Sequence, residues 1–259
     1  MEMIKVIILG LIQGLTEFLP ISSSGHLVIV QTLFGIETEQ LTLDVFLHFG
    51  TVIPILIIFR KDIRDILLFK KEKRRLSLLI LIGIIPTGLI GILFEDFIIK
   101  LFSSVLIVGY MLLITGFLLY LAERLGKASR GLDEMKGYNA IIVGVAQGFA
   151  AIPGISRSGS TIVASLLQGL DRDAAARYSF LIAIPVILGA GLLQLKDVLI
   201  VGLTGLTWEL IIAGTISAAV SGYLAIKYLL HVLRSGSLLV FSYYCWALGL
   251  IIILLAGLL

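Results

Sequence analysis

Apolar positions in this chain come in long blocks rather than in alternation. Runs bounded by charge predict six spans, near residues 45–59, 76–94, 104–122, 175–195, 207–229 and 237–258. They suit helices across a hydrocarbon core of roughly 30 Å, which takes about 20 residues, and lack the dyad pattern of a barrel. Two further apolar regions, 2–34 and 138–169, are each broken midway by a proline and a Ser/Gly cluster, leaving no half long enough to cross alone. Such segments suit re-entrant helical hairpins, because non-helical backbone at membrane depth is tolerated only where protein or a polar cavity covers it. The expected fold is an all-α integral membrane protein, six transmembrane helices plus two re-entrant hairpins, forming a single membrane domain over 1–259.

Composition agrees with that class. Hydrophobic residues make up 59% of the chain and charged ones 14%, and the mean hydropathy of +1.10 is far from soluble averages. The lone Cys245 excludes an intrachain disulfide. No small-residue cleavage site follows the first apolar segment, which is expected to be retained rather than removed as a signal peptide. The net charge of +3 matters less than its distribution. Residues 60–75 carry eight Lys and Arg, residues 123–137 carry four, and Lys227 and Arg234 flank a third connection. These three should be cytoplasmic, whereas 35–44, 95–103 and 196–208 hold only Lys100 and Lys196 and should lie outside. Both termini then face outward, the first hairpin enters from outside and the second from the cytoplasm. The run at 60–75 is expected to be a solvated loop that sets topology.

At an offset of 134 residues the two broken regions align without a gap. Gly10, Gln13, Gly14, Ser22, Ser24 and Gly25 fall on Gly144, Gln147, Gly148, Ser156, Ser158 and Gly159, and Pro20 and Pro153 differ by one place. Each half, about 1–125 and 135–259, holds one hairpin and an odd number of spans. The halves should therefore insert upside down relative to each other, with a site near the midplane where the hairpins meet.

Candidate chemistry gathers in those hairpins. Gln13 and Glu17, four apart, share a helix face, and Pro20 should end that helix. Ser22, Ser23 and Ser24 then open another, as caps or as hydroxyl donors beside backbone N–H groups that favour phosphate. His26 follows within one turn. The second hairpin repeats the helix start with Arg157 at the Ser23 position, among Ser156, Ser158 and Thr161. A guanidinium fork suits phosphate oxygens. Together the hairpins form a buried anion site, most simply for phosphate. His48 and His231 read as structural or interfacial and Asp44 as a cap. There is no Cys/His zinc pattern and no Walker-type glycine loop.

The stretches "QGLTEFLPISSSGH" and "PGISRSGST" resemble the two signature motifs of the undecaprenyl pyrophosphate phosphatase family, the bacitracin-resistance phosphatases, and the likeness spans essentially the whole chain. The resemblance implies a plasma-membrane hydrolase that removes the terminal phosphate of a C55 polyprenyl diphosphate and so recycles a carrier for cell-envelope polysaccharide synthesis. Its site would open to the extracytoplasmic side and depend on a divalent cation, Mg²⁺ or Ca²⁺. It places catalytic roles on Glu17, Ser23, His26 and Arg157 and makes Glu17 a metal ligand. Gln13, Ser22, Ser24, Gln147, Ser156, Ser158 and Thr161 are the expected substrate contacts. The first carboxylate position of the family's pattern is Gln13 here, its uncharged variant. Ser23 is the first choice of nucleophile, with His26 in acid/base exchange and Glu17 as base or orienting group; a phosphohistidine route through His26 is the alternative. Expected partners are the polyprenyl diphosphate and membrane lipids, with a homodimer allowed and no nucleic acid. A lipid-phosphate transporter is the competing reading of the whole.

Overall fold

The structure, a computed structural model, describes residues 2–36, 41–102, 104–126, 129–201, 206–235 and 237–256. In chain order its helices are α1 (Met3–Phe18), α2 (Ser23–Leu33), α3 (Leu41–Ile58), α4 (Arg60–Leu67), α5 (Arg74–Leu93), α6 (Glu95–Phe102), α7 (Val105–Leu125), α8 (Gly137–Phe149), α9 (Arg157–Leu167), α10 (Arg172–Val201), α11 (Trp208–Ser235) and α12 (Leu239–Ala256). A 3₁₀ turn, Leu132–Glu134, precedes α8, and no strand occurs among the described residues beyond an isolated bridge between Arg130 and Leu170. The end of the last expected span and parts of the connections at 35–44, 123–137 and 196–208 lie outside the described residues.

Six helices, α3, α5, α7, α10, α11 and α12, are long and apolar enough to cross a membrane, one on each expected span. Pro54, Pro86 and Pro185 sit inside three of them. Spanning helices tolerate this because neighbours re-satisfy the freed backbone. Large apolar side chains such as Ile4, Leu11, Leu89, Ile92, Ile216 and Leu254 are exposed. In water they would be a liability; on a multi-pass membrane protein they meet lipid.

The two broken regions are helix–turn–helix units. In α1 the helix stops at Phe18, and Leu19 takes the extended backbone expected before Pro20. Ser22 has a left-handed φ of 71°, unusual for a residue with a side chain, and caps α2 by accepting from the Gly25 amide at 3.3 Å. In the second unit Gly154 takes the left-handed turn at φ 95°, and Ser156 caps α9 from the Gly159 amide at 3.0 Å.

The basic run at 60–75 departs from expectation, since it opens with helix α4 rather than a continuous loop. Ile63, Ile66 and Leu67 fall at helical spacing on one side of it and charged residues on the other, which favours a helix against an apolar surface.

Packing is exchanged between the chain's ends. The first helix, α1, lies against α11, whereas α8 lies against α5; α7 pairs with α12, and α3 packs on both α11 and α10. The α1–α11 contact is so close that a Cβ on Gly14 would overlap Ser221 Oγ and the Ala218 carbonyl.

Candidate active site

The two turns meet in the interior. Ser158 Oγ donates to the Leu19 carbonyl at 3.1 Å, linking the start of α9 to the turn after α1. Thr115, from α7, donates to the Gly154 carbonyl at 2.9 Å and accepts the Ser156 amide at 3.2 Å, which fixes the second turn. Both Ser22 and Ser156 are 1% exposed, so the two helix N-termini are formed inside protein. Their hydroxyls pair with Ser24 at 3.3 Å and with Ser158 at 3.2 Å, the same arrangement twice.

Glu17 sits where these parts converge, its side chain only 5% exposed. Burial of a carboxylate is costly unless it is paired and hydrogen-bonded, and here it is both. Arg157 Nη2 donates to Oε1 at 2.9 Å, while Ser23 Oγ donates to Oε2 at 2.6 Å and Gln13 Nε2 at 3.0 Å. His48 Nε2, from α3, stands 3.9 Å from the same Oε2. The Arg157 guanidinium also donates to the Ser179 carbonyl at 3.3 Å. Ser179 in turn shares a 2.6 Å hydrogen bond with Thr161, which bonds back to the Arg157 and Ser158 carbonyls. Thr161 therefore braces the arginine's helix rather than the carboxylate.

His26 points elsewhere. Its Nδ1 is 2.7 Å from the Ser22 carbonyl, so that nitrogen carries the proton and donates; Nε2 then accepts from the Tyr244 hydroxyl at 2.7 Å. Its ring also lies parallel to that of Tyr244. Glu17 is bonded to Ser23 and not to the imidazole. Gln147, the counterpart of Gln13, donates to Thr87 on α5 at 3.2 Å. The amide oxygens of both glutamines are buried without a hydrogen-bond partner.

Of the expected residues, the structure thus gathers Gln13, Glu17, Ser23 and Arg157 into one hydrogen-bonded cluster, with Ser22, Ser24, Ser156 and Ser158 shaping the helix starts beneath it. Thr115, Ser179, Tyr244 and His48 lie outside the expected site residues. Ser179 and Tyr244 carry no local signal, but His48 does: Asp44, His48 and Thr51 recur at i, i+4 and i+7 as a polar stripe in an apolar span. Polar groups at that depth face protein or a cavity. Asp44 accepts from Gln31 at 3.0 and 3.2 Å, a tie between α3 and α2. No group of three or more His, Cys, Asp or Glu side chains converges among the described residues.

The chain matches the family described as bacitracin resistance protein BacA over residues 6–251. It is 72% identical to an undecaprenyl-diphosphatase of Halothermothrix orenii over 257 residues, 99% of each chain. An undecaprenyl-diphosphatase of Carboxydothermus hydrogenoformans is 48% identical over 257 residues, 98% of each, and one of Methanosphaera stadtmanae is 44% identical over 276 residues, 99% of each.

Proposed function

The chain belongs to the bacitracin resistance protein BacA family, and on that premise we propose that it removes the terminal phosphate of undecaprenyl diphosphate, releasing the monophosphate for reuse as a carrier in cell-envelope polysaccharide synthesis. The observation that carries the reading is the placement of Ser23 Oγ 2.6 Å from Glu17 Oε2, with Arg157 2.9 Å from the other oxygen. A hydroxyl against a carboxylate is an activated nucleophile, and a guanidinium beside it is an anchor for phosphate. Lipid transport, the competing expectation, gains no support from the relatives.

In the first half-reaction Ser23 Oγ attacks the terminal phosphorus while Glu17 accepts the serine proton. The bond from that phosphorus to the bridging oxygen breaks, and the polyprenyl monophosphate leaves with the electron pair. In the second, water attacks the phosphoserine, the phosphorus–Oγ bond breaks and Glu17 returns its proton to Oγ. Both of the water's protons depart on inorganic phosphate, which leaves as dihydrogen phosphate. Arg157 uses one N–H on Glu17 and one on Ser179, which leaves others of its five for the phosphoryl oxygens. The N-terminal amides of α2 and α9 add donors where negative charge grows. This assigns the base role to Glu17 and makes His26 a fixed neighbour, held by Ser22 and Tyr244.

A divalent cation fits the donor set. The Gln13 amide oxygen is fully buried, lacks a partner and adjoins Glu17, so the two side chains would hold the ion jointly. One carboxylate with substrate phosphates and water is the usual habit of Mg²⁺. Such an ion would neutralise charge on the diphosphate.

The inverted-repeat reading is supported by a repeated hydrogen bond, while re-entrant insertion and an extracytoplasmic opening rest on the broken apolar segments and the asymmetry of the basic connections. Thr87 Oγ1 donates to the Gly144 carbonyl at 2.8 Å, and 134 residues on Ser221 Oγ faces the Gly10 carbonyl at 3.4 Å. Each bond ties the first helix of one broken region to a span of the other half.

The test is phosphate release by purified protein in detergent, where there is nothing to transport across. Wild type should release phosphate from undecaprenyl diphosphate, and Ser23→Ala should lose turnover together with any trapped phosphoenzyme. A phosphohistidine trapped in Ser23→Ala would transfer the nucleophile to His26; absence of release by wild type would remove the hydrolase reading.

A further inference from the structure

Ten residues beyond His48, roughly 15 Å along the helix, α3 ends at a second polar site. A cavity of about 510 Å³ opens there between α3, α4, α10 and α11, and Arg60, Lys61, Asp62, Arg177, Tyr223 and Lys227 supply its polar wall. Four cations thus face one acid. Asp62 is already engaged: Arg177 Nε donates to its Oδ2 at 2.9 Å, Arg177 Nη2 donates to Oδ1, and Lys73 Nζ is 2.9 Å from Oδ1. Burial pushes the Asp62 carboxyl up, but Arg177 and Lys73 outweigh it and hold it below the usual carboxylate range. It remains an anion committed to those two partners.

The cations remaining in the wall have no acid among the lining residues to answer them. Lys227 is positioned over the Tyr223 ring, 4.9 Å from its centroid, and α4 begins without a side-chain cap. The rest of the wall is apolar, and Ile57 belongs both to it and to the exposed surface of α3 that continues through Ile53 and Leu56. A ligand that satisfies both parts is anionic at one end and greasy at the other. Basic pockets between spanning helices at the membrane surface suit lipid headgroups.

We propose that this cavity binds the phosphate group of an anionic phospholipid, its acyl chains lying along α3. The site is separate from Glu17 and requires nothing of the hydrolytic reading. The sequence assigns Arg60, Lys61 and Lys227 to topology signals, but Arg177 and Lys227 come from distant helices and join the other two only in the fold.

The experiment is native mass spectrometry of the full chain in mild detergent, titrated with phosphatidylglycerol or phosphatidylcholine, beside a thermal shift with inorganic phosphate. Wild type should retain phosphatidylglycerol in preference to phosphatidylcholine. The Lys61→Gln/Lys227→Gln variant should bind it roughly ten- to thirty-fold more weakly, with unchanged circular dichroism and turnover. Both altered side chains are exposed, and Arg60→Gln/Lys61→Gln provides a second variant should the first fold poorly. Equal retention of the two lipids, or of phosphatidylglycerol by wild type and both variants, would overturn the site. Protection of wild type alone by inorganic phosphate, without lipid retention, would keep the phosphate pocket and overturn its lipid source.

Discussion

Glu17 is tolerable in the interior because its neighbours make it so, and the quality of the Arg157 contact decides what the cluster can do. A lysine at 157 would keep the charge but not the planar fork that reaches Glu17, Ser179 and a phosphoryl group together. Arg157→Lys should fold with near-normal stability and lose roughly a hundred-fold in turnover, read as phosphate release at saturating substrate. Near-normal turnover would remove Arg157 from the site. At this scale the sequence showed a good deal. Gln13, Glu17, Ser23 and Arg157 are expensive residues in apolar surroundings, and the structure brings them into one hydrogen-bonded cluster. The sequence reads His48 as structural or interfacial, because its approach to Glu17 depends on how α3 sits against α1. The orientation of His26 was also out of reach, since a shared helical turn does not say which way an imaginary line from Cα to the imidazole will point; the Tyr244 hydroxyl decides that from 218 residues away.

Glycines set the spacing between elements. Gly10 and Gly14 let α1 approach α11, and Gly144 lets α8 approach the Gly83 carbonyl of α5 so closely that a Cβ would overlap it. Small residues at such contacts allow backbones to pack in membranes. Gly14→Leu should therefore cost about 2 kcal/mol or more, seen as a lower midpoint of thermal unfolding in detergent. Gly88→Ala and Gly91→Ala, where nothing lies within 4 Å of an added Cβ, should leave the midpoint in place. An unchanged midpoint in Gly14→Leu would mean that α1 and α11 are not held at this spacing. The six spans were legible because twenty apolar residues have few alternatives, and the breaks because proline and serine stop helices in known ways. Helix α4 was harder to see: its apolar side amounts to Ile63, Ile66 and Leu67 inside the most basic stretch of the chain, and charge density masked the period.

For the whole molecule, the asymmetry of basic connections predicts which face is which. A cysteine replacing Asp96, between α5 and α7, should be labelled by an impermeant maleimide on intact cells, and one replacing Glu72 only after permeabilisation. Cys245 is fully buried and should stay silent. The reverse pattern would invert the orientation and turn the site toward the cytoplasm. The exchanged packing of α1 on α11 and α8 on α5 has a consequence for how such a chain is made. Helix α1 is made long before α11, the helix it rests on, and Glu17 travels with it, without Arg157, until the second half arrives. During that interval a lone carboxylate must be sheltered by water, headgroups or the insertion machinery. The Glu17–Arg157 pair thus forms only once α9 has been made, and a chain cut short before α9 would lack it however well its early spans were inserted.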